Sequence, residues 1–218
     1  LKMTFKQLKR LVSQGESETL EFKRKVAHPE KIVKEIVAFA NTKGGKLLIG
    51  VSDDGTIPGV KFPEDEIYAL NNTIEKMCHP LPDYEIMHVE INEKNTALVY
   101  DIPVSNKRPL HIKENADSKW GQVYVRFGDK SIKTSREIQK IIKRQKRNKD
   151  IKFNFGDKEK ILMSYLEEHK TINLYQFQAA AKLNKYTASN TLIILVLANV
   201  LSVEPCDKGD IYRLKNKF

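Results

Sequence analysis

The stretch Thr42–Val51, TKGGKLLIGV, follows directly on KIVKEIVAFAN (Lys31–Asn41), and its reading decides the first half of the chain. Paired glycines beside an apolar run can form a phosphate loop, or they can end a helix so that a strand starts. Ile32, Val33, Ile36, Val37 and Ala40 recur at helical spacing to about Thr42, and Pro29 suits a first helical position. Gly44 and Gly45 therefore stand at a helix C-terminus, where glycine supplies a left-handed cap, and KLLIGV follows as a strand. Phosphate loops use the other end of a helix, where free N–H groups and the positive end of the dipole face the anion. No GxxxxGK(S/T) pattern occurs anywhere in the chain. The pair reads as a helix stop, and an ATP site loses its main support.

Outward from this point the pattern is mixed. Thr4-x-x-Gln7 is a capping box, and Phe5, Leu8, Leu11 and Val12 give a short amphipathic helix ending at Gly15. TLEFKRK (Thr19–Lys25) alternates, with Leu20 and Phe22 on one face and Glu21 and Lys23 on the other, as in a half-buried strand. Asp54-Gly55 marks a turn after KLLIGV, and a helix is expected over about 64–78. YEIMHVEI and TALVYDIPV read as a hairpin around Asn92–Asn95, and PLHIK and GQVYVRFG as two more extended segments. Thr134-x-x-Glu137 is a second capping box and opens another helix.

Residues 148–157 show no clear period and read as a linker. Beyond them DKEKILMSYLEEH, NLYQFQAAAKL and TASNTLIILVLANVL are three helices, and SVEPCDKGDIYRL gives two short strands around Lys208-Gly209. That order is the order of a winged helix-turn-helix. The expected organisation is a mixed α/β (α+β) domain over 1–147, the linker, and a winged helix over 158–218.

Charge narrows the function. Lysine and arginine number 38 against 28 acids, a net charge of +10 with a pI near 9.4. Lys140, Lys143, Arg144, Lys146, Arg147, Lys149 and Lys152 fall in one segment opposed there only by Asp150, a stripe suited to a polyanion. Hydrophobic residues at 40% and charged residues at 30% fit a soluble globular protein. No apolar run approaches the roughly 20 residues needed to span a bilayer, and no secretory h-region opens the sequence. Cys78 and Cys206 read as reduced thiols of a cytoplasmic protein, and five scattered histidines show no metal-ligand spacing.

In the third C-terminal helix, LIILVLANVL is apolar over most of its circumference, wider than one buried stripe needs. Lys185, Tyr186, Ser189 and Asn190 make its N-terminal end polar, where recognition helices touch bases, and Lys208 and Arg213 on the wing suit phosphates. The surplus apolar surface suggests a homodimer contact. The domain could read DNA, dimerise, or do both.

Three stretches in series, ESETLEFK (Glu16–Lys23), IVAFANTKGGKLLIGVSDDGTIPGV (Ile36–Val60) and VYVRFGDKS (Val123–Ser131), resemble the Schlafen AlbA-type domain. The resemblance covers about residues 10–145. It implies a DNA-binding module of the kind found in bacteria, commonly followed by a winged helix in transcriptional regulators. Nuclease-active Schlafen proteins use three carboxylates around a metal ion; residue by residue, that implies Glu16, Glu21 and Asp53, with Asp54 as a close substitute. Such a trio could hold magnesium or manganese and activate water against a phosphodiester. Lys23, on the strand face of Glu21, and Arg126, in the third stretch, could meet phosphates. Alternatively, Glu21 and Lys23 form an ordinary polar strand face, and Glu16 and Asp53 are turn residues.

The leading expectation is thus a cytoplasmic DNA-binding transcriptional regulator, homodimeric, favouring DNA over RNA, with no cofactor and no membrane contact. The alternatives are a metal-dependent endoribonuclease acting on structured RNA, and an interaction protein whose winged helix only dimerises.

Overall fold

In the computed structural model, which describes residues 3–113, 121–145, 154–206 and 209–215, the first element is helix α1 (Phe5–Val12). Its capping box closes as expected: Thr4 Oγ1 accepts from the Gln7 N–H at 3.3 Å, and Gln7 Oε1 accepts from the Thr4 N–H at 2.8 Å. Strand β1 (Leu20–Lys23), helix α2 (Pro29–Asn41) and strand β2 (Gly45–Ile49) form a parallel crossover unit, with Leu20 opposite Lys46 and Lys23 opposite Ile49. Helix α3 (Pro63–Met77), the short β3 (Cys78–His79), β4 (Glu85–Glu90) and β5 (Thr96–Ile102) follow. The sheet order is β1-β2-β5-β4, with β5 antiparallel to both neighbours.

Both faces of this sheet are covered, which is why its central strands read as unbroken apolar runs. Leu47, Ile49, Leu98 and Tyr100 meet Ile32, Ile36, Leu70 and Ile74 from α2 and α3. The alternate residues Leu48 and Val99, with Leu20 and Phe22, meet Leu8 and Val12 of α1. Two short ribbons complete this part: β3 with β6 (His111–Ile112), and β7 (Tyr124–Phe127) with β8 (Lys130–Lys133).

The glycine pair ends α2. Gly44 sits at φ +75°, and its N–H closes back on the Phe39 carbonyl at 2.9 Å. A Cβ there would stand 2.8 Å from the Ile102 carbonyl oxygen, so the helix end passes close beneath β5. Asn41 and Thr42, at the end of the helix, fasten it to later chain. Buried Asn41 donates from Nδ2 to the carbonyls of Leu110 and Tyr124, each at 3.0 Å, and accepts from the Leu110 N–H at 2.7 Å. Thr42 Oγ1 accepts from the Arg126 N–H at 2.9 Å. A polar pair in an apolar helix is thus the hinge pin between α2 and β7.

The chain divides into two compact units, Leu1–Ile132 and Lys133–Phe218. Helix α4 (Arg136–Gln145) falls with the second, whereas the sequence reading drew it with the first domain. Its cap comes from Ser135, one residue beyond the expected Thr134: Ser135 Oγ accepts from the Ile138 N–H at 3.1 Å. Helices α5 (Asp157–His169), α6 (Leu174–Ala181) and α7 (Lys185–Leu197) precede an antiparallel ribbon of β9 (Leu201–Glu204) and β10 (Ile211–Leu214). Leu162, Leu166, Phe177, Leu192, Leu195, Leu201 and Tyr212 make its core. Along another side α7 is packed by α4, whose Ile138, Ile141 and Ile142 are buried. Much of the wide apolar surface of α7, which the sequence suggests as a homodimer contact, is therefore used inside the unit, while Ile194, Val196 and Leu197 stay half-buried.

The tight passage at Gly44 gives a direct test. Gly44→Ala should cost roughly 2–4 kcal/mol, because left-handed strain adds to a clash with backbone. Gly15→Ala, at a similar φ of +74° but with open space around the new Cβ, should cost only about 1 kcal/mol. Urea unfolding followed by far-ultraviolet circular dichroism measures both. Equal costs would show that the contact with Ile102 is not tight.

Candidate nucleic-acid interface

The acidic trio is dispersed by what each member is bonded to. Glu16 is exposed, and its Oε1 accepts from the Phe22 N–H at 2.9 Å. Glu21 is 6% exposed, with Oε1 on the Lys23 ammonium and Oε2 3.0 Å from the Arg126 guanidinium. Asp53 lies exposed in the turn after β2, where its neighbour Asp54 accepts from the Thr56 N–H and hydroxyl at 2.9 and 2.7 Å. Among the described residues no three histidine, cysteine, aspartate or glutamate side chains come together as a metal group. The trio does not fit magnesium or manganese: both oxygens of Glu21 already serve cations of the chain itself. The nuclease reading loses its geometric support.

Arg126 is not a phosphate ligand either. Its side chain is 0% exposed. Nη1 lies 3.0 Å from Glu21 Oε2 and 2.5 Å from Glu35 Oε2, and Nη2 donates to the Ser17 carbonyl at 2.7 Å. The guanidinium also stacks over Phe39, 4.8 Å from the ring centre. Glu35 accepts from Ser131 as well. Burial pushes the Glu35 carboxyl above its usual range and Glu21 adds to the rise, while Ser131, Arg126 and Lys23 pull it back. Lys23 donates to Glu21 and to the Phe22 carbonyl. The strand face expected to be polar and open is a buried ion cluster. Of the aromatic residues near it, Tyr124 is half-buried and Phe127 is 40% exposed. Trp120 lies outside the described residues.

The second unit presents the cations differently. On α4, Lys140, Lys143 and Arg144 are exposed on the side away from Ile138, Ile141 and Ile142. Arg136, which the sequence reading did not single out, shares that face at i, i+4 spacing to Lys140; the periodicity could have found it. Arg144 Nη1 donates to Asn190 Oδ1 of α7 at 3.4 Å, so the basic helix runs into the polar end of the third helix. Tyr186 is 77% exposed there, and Lys185 is exposed. An open depression of about 290 Å³ beside them is lined by Asn154, Lys158, Tyr186, Thr187 and Asn190. Ser189 departs from expectation: it is 5% exposed and donates to Glu137 Oε1 at 2.7 Å, so α4 covers it. Arg213 is tied to Glu204 at 3.1 Å. Lys146, Arg147 and Lys208 lie outside the described residues.

Residues 16–136, more than half of the chain, match the family described as Schlafen, AlbA_2. The chain belongs to this family. The match ends where α4 begins, close to the boundary between the two compact units. Among solved structures, the chain is similar to the N-terminal domain of a protein from Nitrosomonas europaea described as related to an ATP-dependent DNA helicase, RecG. The two are 20% identical with a TM-score of 0.39, over 56% of this chain and 88% of that one. It is also similar to a Corynebacterium diphtheriae protein at 16% identity and a TM-score of 0.43, over 90% of this chain. The chain spans about a third of that protein's length, 34%. Among the described residues no helix is long and apolar enough to cross a membrane.

Two expectations follow from the ion cluster. Arg126→Met leaves Glu21 and Glu35 buried without their shared cation and should cost about 3–5 kcal/mol in urea unfolding. Arg126→Lys should recover only part of this, since an ammonium cannot reproduce the fork. A loss below about 1 kcal/mol in the Met variant would mean that the cluster is inert.

Glu35 sets a pH dependence. Its folded value lies above its unfolded one, so its contribution is fully present below the unfolded value and is lost as pH rises through the raised folded value. Wild-type stability measured against Glu35→Gln should therefore decline across that window and level off above it. A difference that stays flat with pH would refute the shift.

Proposed function

We propose that the protein is a nucleic-acid-binding transcriptional regulator of the cytoplasm, preferring duplex DNA to RNA, and that it binds through the joint face of α4 and α7. One observation carries this reading: the Arg144–Asn190 contact joins the basic helix to the polar end of α7 within one compact unit. In this reading α5, α6 and α7 with the β9–β10 ribbon form a winged helix-turn-helix. The N-terminal end of α7 enters the major groove with Lys185, Tyr186 and Asn190. Arg136, Lys140, Lys143 and Arg144 lie along the flanking phosphates and supply the electrostatic part of the affinity. Ser189, held by Glu137, helps seat α4 on α7 and does not reach the bases.

Replacing Lys140, Lys143 and Arg144 by glutamate should weaken binding to a DNA duplex. If each contacts one phosphate, the slope of log K against log salt should fall by about 2–3. Tyr186→Ala should weaken a specific site more than random duplex of the same length, measured by fluorescence anisotropy. An RNA duplex of equal length should bind more weakly than DNA. A salt slope equal to that of the wild type would exclude this face, and tighter binding to RNA would overturn the preference.

A further inference from the structure

The second unit carries its cations outward, yet it encloses an acidic cavity. The space, about 150 Å³, is bordered by Ser135, Glu137, Asn173, Lys185, Asp210 and Tyr212. Asp210 is 7% exposed, and its carboxylate accepts from Ser135 Oγ. Glu137 Oε1 accepts from Ser189 Oγ. Among the described residues neither acid has a cation within ion-pair distance: Lys185, at the border, holds its ammonium 5.7 Å from the centre of the Tyr175 ring. Tyr212 is 1% exposed, and its hydroxyl has no hydrogen-bond partner among the described residues. Burial raises the proton affinity of Asp210, the neighbouring Glu137 raises it further, and the bonds from Ser135 and the Cys206 backbone offset part of the rise. A buried phenol left unpartnered beside two carboxylates without a counter-ion is costly unless something completes the set.

We propose that this cavity binds the primary ammonium group of a small amine. An ammonium has three N–H donors, and the residues bordering the cavity carry three acceptors: the Asp210 carboxylate, the Glu137 carboxylate and the buried Tyr212 phenolic oxygen, which a small shift of the ring would bring to the ligand. A metal ion is the poorer match, because no third acidic, histidine or cysteine ligand joins the pair among the described residues. The volume equals that of roughly five water molecules, enough for an aminomethyl head with its chain leading out. The bound amine would bridge β10 to the first turn of α4, the helix that bears Lys140, Lys143 and Arg144. The proposal stands on this cavity alone and is independent of nucleic-acid binding.

The test is calorimetric titration of the full chain, free of nucleic acid, with methylammonium and 1,4-diaminobutane. Tetramethylammonium and magnesium chloride serve as arms at matched ionic strength. A net charge of +10 repels cations in general, so saturable binding stands out from the background. The primary amines should bind and tetramethylammonium should not, having no N–H to donate. Asp210→Asn should weaken binding at least about tenfold, and Tyr212→Phe about fivefold. Affinity should also fall as the solution is acidified, from a higher pH than an exposed aspartate would give. If Asp210→Asn does not fold, Tyr212→Phe decides, since it removes a group that has no hydrogen-bond partner among the described residues. Absence of saturable amine binding, equal binding of tetramethylammonium, binding of magnesium alone, or undiminished binding by Tyr212→Phe would each overturn the proposal.

Discussion

The first unit depends on a single buried guanidinium. Arg126 reaches from β7 to Glu21 on β1, to Glu35 and Phe39 on α2, and to the carbonyl of Ser17 before β1. Glu21, Glu35 and Ser17 lie 91 to 109 residues from Arg126 in sequence, and the planar fork of arginine can serve several of them at once. The backbone N–H of the same residue is held by Thr42, so β7 is fixed on both its main chain and its side chain. A cluster of this kind contributes little net energy compared with apolar packing of the same volume, but it penalises any arrangement that leaves one member alone. The three stretches that carry the family resemblance each supply a member: Glu21, Phe39 with Thr42, and Arg126. The three stretches are therefore tied to one another by a structural contact that does not require a reaction.

Much of the fold was legible because its signals are local. Capping at Thr4, the proline start of α2 and the glycine stop at Gly44 are each decided within a few residues, and the structure places all three as expected. The hairpin of β4 and β5 follows from two apolar runs around a polar turn. The fate of the Glu21–Lys23 face was not legible. Alternation fixes which side chains share a face; it does not say whether that face meets water or another layer. The partner that closes it, Arg126, lies 105 residues away, and no spacing rule connects the two.

The same limit explains the second unit. LIILVLANVL announced more apolar surface than one contact uses, and that was correct. What covers it is α4, a helix whose own sequence looked dominated by lysine and arginine. Its three isoleucines, Ile138, Ile141 and Ile142, form a narrow stripe, and they assign the helix to α7. Charge counted along a segment hides such a stripe, because the cations face outward and outnumber it. Ser189 shows the matching limit: a polar residue near the start of an apolar helix looks available, yet Glu137 holds it in place.

Placing α4 on α7 changes what the basic segment means. As a tail on a separate domain it would be a diffuse polycation, able to bind any nucleic acid and to orient none. Packed along α7, its cations acquire fixed positions relative to Tyr186 and Asn190, and phosphate contacts in fixed positions set the register of a protein on a duplex. The same packing has a cost in acids: Glu137 must enter beside Ser189, and its charge adds to that of Asp210 around the cavity. The acidic cavity and the basic face are thus two consequences of one helix. Its outward side concentrates positive charge, while its first turn carries negative charge inward, where the hydroxyl of Tyr212, without a hydrogen-bond partner among the described residues, also lies.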